Sequence, residues 1–172
     1  MKTVRFLLVV VFFLANLVSA SARVFDTEQQ YESQYGPNVN KGAPLPPPNK
    51  IAIYRHNQYR IVTLFLGEVS QGEFIVRTKG RLSDTDVTGI LAANQGGSVW
   101  KKEKVETAKD PKIPPVSLWT RKDGKLFAMY GFVAPAPTAP SAPLIAFLMI
   151  GTKRGGGFLM KQKDNLASLV NG

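Results

Sequence analysis

One histidine, His56, and no cysteine among 172 residues leave little scope for metal or thiol chemistry. Zinc and copper sites draw on several His or Cys ligands, so neither metal is expected, and no motif calls for a cofactor. His56 lies in Arg55-His56-Asn57-Gln58, at a turn between two apolar runs. An imidazole there faces solvent and lacks the partners a general base needs. Serine hydrolysis would need a G-x-S-x-G elbow, which is absent. Glycoside-type hydrolysis would need two acids facing a cleft; Glu68 and Glu73 instead flank one turn and are expected to be solvated. Asp84 and Asp86 fit the start of a helix, where anions are favoured. Gly151-Thr152-Lys153-Arg154-Gly155-Gly156-Gly157 has the glycines of a phosphate loop without the G-x-x-x-x-G-K-[ST] order, and reads as a flexible turn. No catalytic or metal-ligating residue is therefore assigned, and the protein is expected not to be an enzyme.

The residues that could grip a ligand are aromatic and cationic. Trp100-Lys101-Lys102 and Trp119-Thr120-Arg121-Lys122 each place an indole beside positive charge, a pairing that holds glycans or nucleic-acid strands by stacking and charge. The competing reading is a core-facing Trp with a solvated neighbour, as strand alternation produces. Lys153 and Arg154 open a second basic segment that continues to Lys161 and Lys163. The candidate binding set is thus Trp100, Lys101, Lys102, Trp119, Arg121, Lys153 and Arg154. The formal charge of +10 agrees with an anionic partner, though soluble proteins also carry net charge for solubility.

The first 22 residues have the pattern of an export signal. Lys2 and Arg5 give a basic start, residues 6–18 are nearly all Phe, Leu, Val and Ala, and Ser19-Ala20-Ser21-Ala22 supplies small residues for a cut. Ala20-Ser21-Ala22 favours cleavage after Ala22, while Val18-Ser19-Ala20 allows it after Ala20. The apolar run is shorter than the ~20 residues a spanning helix needs. Lipid anchoring needs a cysteine that is absent. The expected product is a secreted or periplasmic protein without a membrane span, one domain over residues 23–172.

The elements that must position the candidate residues follow from pattern. Residues 25–36 read as a short helix capped by Asp26 or Thr27, with Tyr31 and Tyr35 on one face and Gly36-Pro37 as its stop. Residues 41–50 and 133–143 are Pro-rich loops. Residues 51–77 read as a three-stranded meander whose second strand, 59–66, is apolar on both faces. Residues 82–94 are the clearest helix: Ser83 as N-cap, Asp86 closing a capping box, and Leu82 stapling onto Val87. A short strand around Trp100, a hairpin about Asp123-Gly124 and a last apolar strand over 144–150 follow. Residues 158–160 could extend the sheet, and 164–170 could add a helical turn. The fold class is α+β, an antiparallel meander of about six strands with two short helices on one face. The element order allows a duplicated α-β-β-β unit, although the two halves share little residue similarity.

Thr27-x-x-Gln30-x-Glu32-x-x-Tyr35-Gly36, then 82–84 through Leu91-x-x-Asn94-x-x-Gly97-Ser98-x-Trp100, then Trp119-Thr120-Arg121-x-Asp123-Gly124, resemble a group of small exported bacterial proteins of unknown role. The helix-Tyr-Gly-Pro entry into a meander is also similar to BamE-type and β-lactamase-inhibitor-like α+β domains. These short segments cover about half of residues 23–172. The resemblance implies a binding or scaffold module; BamE-type proteins are lipoproteins, and this chain lacks the cysteine for that. Two functions are expected: an exported, non-enzymatic binding or scaffold protein acting on another protein through its sheet face or Pro-rich loops, or a binder of anionic envelope components or polyanions through basic segments 101–112 and 153–163. Nothing points to a specific nucleic acid.

Overall fold

The structure is a computed structural model that describes residues 23–39, 49–103, 114–133, 143–163 and 165–166. Residues 1–22, read as an export signal, most of both Pro-rich segments, the basic stretch beyond Glu103 and most of the helical turn expected at 164–170 lie outside the described residues.

The fold is α+β. In chain order it runs α1 (Glu28–Tyr35), β1 (Asn49–His56), β2 (Tyr59–Leu66), β3 (Ser70–Arg77), α2 (Asp84–Ala93), β4 (Trp100–Lys102), β5 (Ser117–Arg121), β6 (Phe127–Val133), β7 (Ile145–Gly151) and α3 (Lys153–Lys161). The strands form one sheet of seven in the order β1-β2-β3-β7-β6-β5-β4. Every pairing in it is antiparallel. Strand β7 returns to the centre and joins the first meander to the second hairpin through its pairing with β3, from Gly72 opposite Gly151 to Val76 opposite Phe147.

The count is seven strands rather than about six, because Trp100–Lys102 pairs fully along β5 as an edge strand. The sheet also carries a third helix. Residues 151–157 do not form a turn and 158–160 do not extend the sheet: Thr152 caps a helix by accepting a 3.0 Å hydrogen bond from the Gly155 amide. Its glycines supply closeness. A Cβ on Gly155 would lie 2.1 Å from the Gln71 carbonyl oxygen, and one on Gly156 would lie 2.3 Å from Cζ of Phe127. The small face of α3 thus lies directly on β3 and β6, with Leu159 buried beside it.

The sheet consequently has two covered faces. On one, α3 packs over Ile53, Val62, Leu64, Phe74, Phe147 and Met149. On the other, α1 and α2 cover separate stretches: α1 puts Tyr31 against Tyr54 and Phe65, and α2 puts Val87 and Leu91 against Leu126, Leu148 and Ile150. Burial on both faces explains the unbroken apolar runs of β2 and β7. Both capping arrangements on this side are reciprocal boxes, Thr27 with Gln30 and Ser83 with Asp86. Among the described residues no helix is long and apolar enough to cross a membrane.

Candidate functional site

The seven candidate residues separate into three places. The first is structural. The Trp100 indole N–H donates to the Leu91 carbonyl at 2.7 Å, tying edge strand β4 to the last turn of α2. Arg121 is only 7% exposed. Its Nη1 donates to the Asn94 carbonyl at 3.1 Å, while Nε and Nη2 clasp both oxygens of Asp123 at 2.9 and 2.8 Å. The guanidinium thereby holds the C-terminal end of α2 against the β5–β6 turn, a use of the rigid fork that lysine could not copy.

The second place is the β4–β5 edge. Lys102 is exposed, with its Nζ 5.4 Å from the centre of the Trp119 ring. The two line a shallow recess of about 430 Å³ with Tyr130 and Phe132, and Asp84 lies on its wall. Lys101 projects from the same edge and pairs with Glu103 at 3.4 Å.

The third place lies on the opposite face. Lys153 and Arg154, both exposed, stand on the first turn of α3, and Lys161 stands on its last. Together with Asn49, Leu66 and Phe158 they line a recess of about 410 Å³ with no acidic side chain among its described residues. Lys50, next to Asn49, is taken by an ion pair with Glu28. Positions 153, 154 and 161 face outward because the glycine stripe and Leu159 hold the other side of α3 on the sheet. Lys161 escaped the sequence-derived set because the helix that aligns it with Lys153 and Arg154 was read as a turn. Treating Gly155 and Gly156 as buried small residues in register with Leu159 would have exposed the helical period.

A larger groove of about 510 Å³ lies on the face shared by α1 and α2. Arg23, Tyr35, His56, Tyr59, Asp86 and Ile90 line it. His56 is therefore at a groove, half-buried and in ring contact with Tyr35 at 5.2 Å, rather than fully in solvent. Asp86, the one carboxylate among the described residues of this groove, is already engaged. It accepts from the Tyr59 hydroxyl at 2.6 Å and the Ser83 amide at 2.7 Å, and Arg77 stands 3.6 Å away. Burial opposes its charge, but these partners outweigh it and hold the carboxyl below its usual range. Among the described residues no group of three or more His, Asp or Glu side chains is placed to hold a metal.

Glu73 is not solvated. It is 1% exposed, inside the sheet on the α1–α2 side. Tyr31 donates to its Oε1 at 2.6 Å, and the Asn94 side-chain amide lies 3.5 Å from Oε2. Burial pushes the carboxyl up to about 7, against the lowering effect of these donors. Burial, and then the neighbouring carboxylate, push the Tyr31 phenol well above its ordinary value. The sequence carried a signal for this placement: Glu73 shares a strand face with Ile75, in a strand apolar on both sides.

No known family matches the chain, and no curated protein matches it. Among solved structures, the chain is similar at a TM-score of 0.40 and 8% identity to a cysteine-rich secretory protein from Staphylococcus aureus subsp. aureus Mu50. That alignment covers 82% of this chain and 47% of the other, so the chain spans about half the length of that protein.

Proposed function

We propose that the protein is an exported, non-enzymatic binding module, and that its ligand is anionic and held at the α3 recess. The observation that carries this reading is the convergence of Lys153, Arg154 and Lys161 on one concavity with no acid among its described lining residues. Cations aimed into a shared recess focus the field and raise the local concentration of anions. Covered sheet faces leave less room for a partner to dock on the sheet itself. Of the two basic segments, 153–163 offers this arrangement, whereas in the described part of 101–112 Lys101 pairs with Glu103 and Lys102 covers Trp119.

Retention on an immobilised polyanion at low salt, with elution that shifts steeply as salt rises, tests the reading. Absence of retention at low salt contradicts it.

A second reading has its own support. The groove between α1 and α2 is the largest of the three described here and presents Tyr35, Tyr59 and Ile90 beside Arg23 and Asp86. It suits a protein partner and would make the molecule a scaffold. Mass-spectrometric identification of envelope proteins captured by wild type and lost with a Tyr35→Ala, Ile90→Ala variant would support it. We also read α1-β1-β2-β3 and α2-β5-β6-β7 as a repeated unit. The sheet order supports this, since β3 and β7 meet at the centre, with β2 and β6, then β1 and β5, outward on either side.

A further inference from the structure

Residues 23–26 are tied to the fold by hydrogen bonds. Residues 23–26 form a tight turn in which the Asp26 amide donates to the Arg23 carbonyl at 2.9 Å. The Arg23 nitrogen in turn donates to Asp26 Oδ2 at 2.8 Å. Val24 is buried with the α2 cluster, and its amide donates to Asn94 Oδ1 at 2.9 Å. The Phe25 amide is shared between the Ser70 carbonyl at 3.0 Å and the Ser70 hydroxyl at 2.9 Å, and the Ser70 amide donates to the Asp26 carbonyl at 2.9 Å. Phe25 holds a φ of +86°, a region a bulky side chain adopts only when its surroundings enforce it. Four of these bonds link the turn to β3 and to the end of α2 immediately after Ala22, the last small residue of the export-signal pattern.

We propose that the signal is removed after Ala22, and that the α-ammonium this creates on Arg23 is a structural cation paired with Asp26. The endopeptidase of the export machinery would hydrolyse the Ala22–Arg23 peptide bond with one water. The hydroxyl goes to the Ala22 carbonyl and the proton to the Arg23 nitrogen, which takes a further proton from solvent. An amide donor 2.8 Å from a carboxylate becomes a full ion pair at the same distance. A cut after Ala20 would place the charge two residues upstream, up to ~7 Å away along the chain, and leave the Asp26 carboxylate facing a neutral amide. The titratable groups around this nitrogen are Asp26 in the turn, Tyr31 from α1 and Glu73 from β3; His56 from β1 and Asp86 from α2 share the groove that Arg23 lines. The inference rests on the export reading and is independent of the anionic ligand.

The full precursor, exported from a bacterial host, gives the test. Intact mass should show a chain beginning at Arg23. A chain beginning at Ser21 overturns the inference and leaves export standing; an unprocessed precursor overturns both. In the exported protein the α-amine should titrate above the ordinary range of ~7.7–8.0, and in Asp26→Asn it should fall back into that range. The melting temperature of Asp26→Asn should lie about 2–4 °C below wild type at pH 6. That gap should close as pH rises through the folded α-amine pKa, because a raised base contributes stability only while protonated. An α-amine that titrates identically in both proteins overturns the inference.

Discussion

The Tyr31 hydroxyl donates a 2.6 Å hydrogen bond to Glu73, and both side chains are fully enclosed between α1 and β3. The pair belongs to a relay that reaches the N-terminal turn. The Phe25 amide donates to the Ser70 hydroxyl, which donates to the Arg23 carbonyl at 3.2 Å, while the Tyr31 oxygen lies 3.1 Å from the Ser70 oxygen. Among the described residues no cationic side chain pairs with Glu73, so its charge costs stability whenever it is present.

Stability should therefore fall as pH rises. Glu73 titrates near 7 in the folded protein, against about 4.3 in an unfolded chain. The folded state holds the proton more tightly, so the contribution is complete below the unfolded value. It declines between the two values and levels off above pH 7. The full span corresponds to about 4 kcal/mol. Glu73→Gln keeps an acceptor for Tyr31 and removes the charge. Denaturant melts should find it more stable than wild type at pH 8 and nearly flat from pH 5 to 8. Tyr31→Phe should be destabilised by about 1–3 kcal/mol through loss of the donor, most strongly at high pH.

The three consecutive glycines of α3 should behave differently from one another. Gly155→Ala drives its Cβ into the Gln71 backbone, which cannot move aside, and should cost about 2–3 kcal/mol. Gly156→Ala meets the Phe127 ring, which can swing, and should cost less. Gly157→Ala meets nothing within 4 Å and should stabilise by about 0.5–1 kcal/mol through helix propensity. Thermal melts of the three variants, compared as a series, check this order.

Arg121→Lys should lower the melting temperature, since one ammonium cannot satisfy Asp123 and the Asn94 carbonyl together. It should leave retention on an immobilised polyanion unchanged. Weakened retention with unchanged stability would instead place Arg121 at a ligand.

The elements legible in the sequence were those whose signals are local. Ser83 with Asp86, the Leu82–Val87 staple, Asp123-Gly124 and the two-sided apolar run of β2 each lie within a few residues, and each element formed where expected. Helix α3 was hidden because its glycines answer a long-range demand, the approach of a helix to Gln71 more than 80 positions earlier in the chain. Glu73 was misplaced although its strand face was legible: it shares that face with Ile75, and α1 and α2 closing over β3 bury both. The candidate binding residues were read as aromatic and cationic neighbours in sequence. Pairing across β4 and β5 turned Arg121 inward and Lys101 and Lys102 outward, and α3 carried Lys153 and Arg154 to the other face.

Paired neutralisations test the central claim most directly. Lys153→Gln, Arg154→Gln and Lys161→Gln combined, and Lys101→Gln with Lys102→Gln, are compared with wild type by measuring affinity for a soluble polyanion across a salt series. The α3 triple variant should lose about three units of positive charge from the contact, flatten the salt dependence accordingly and bind at least tenfold more weakly at low salt. The β4 pair should bind within about twofold of wild type. Equal weakening by both variants, or none by the triple variant, would contradict the α3 recess as the anion site.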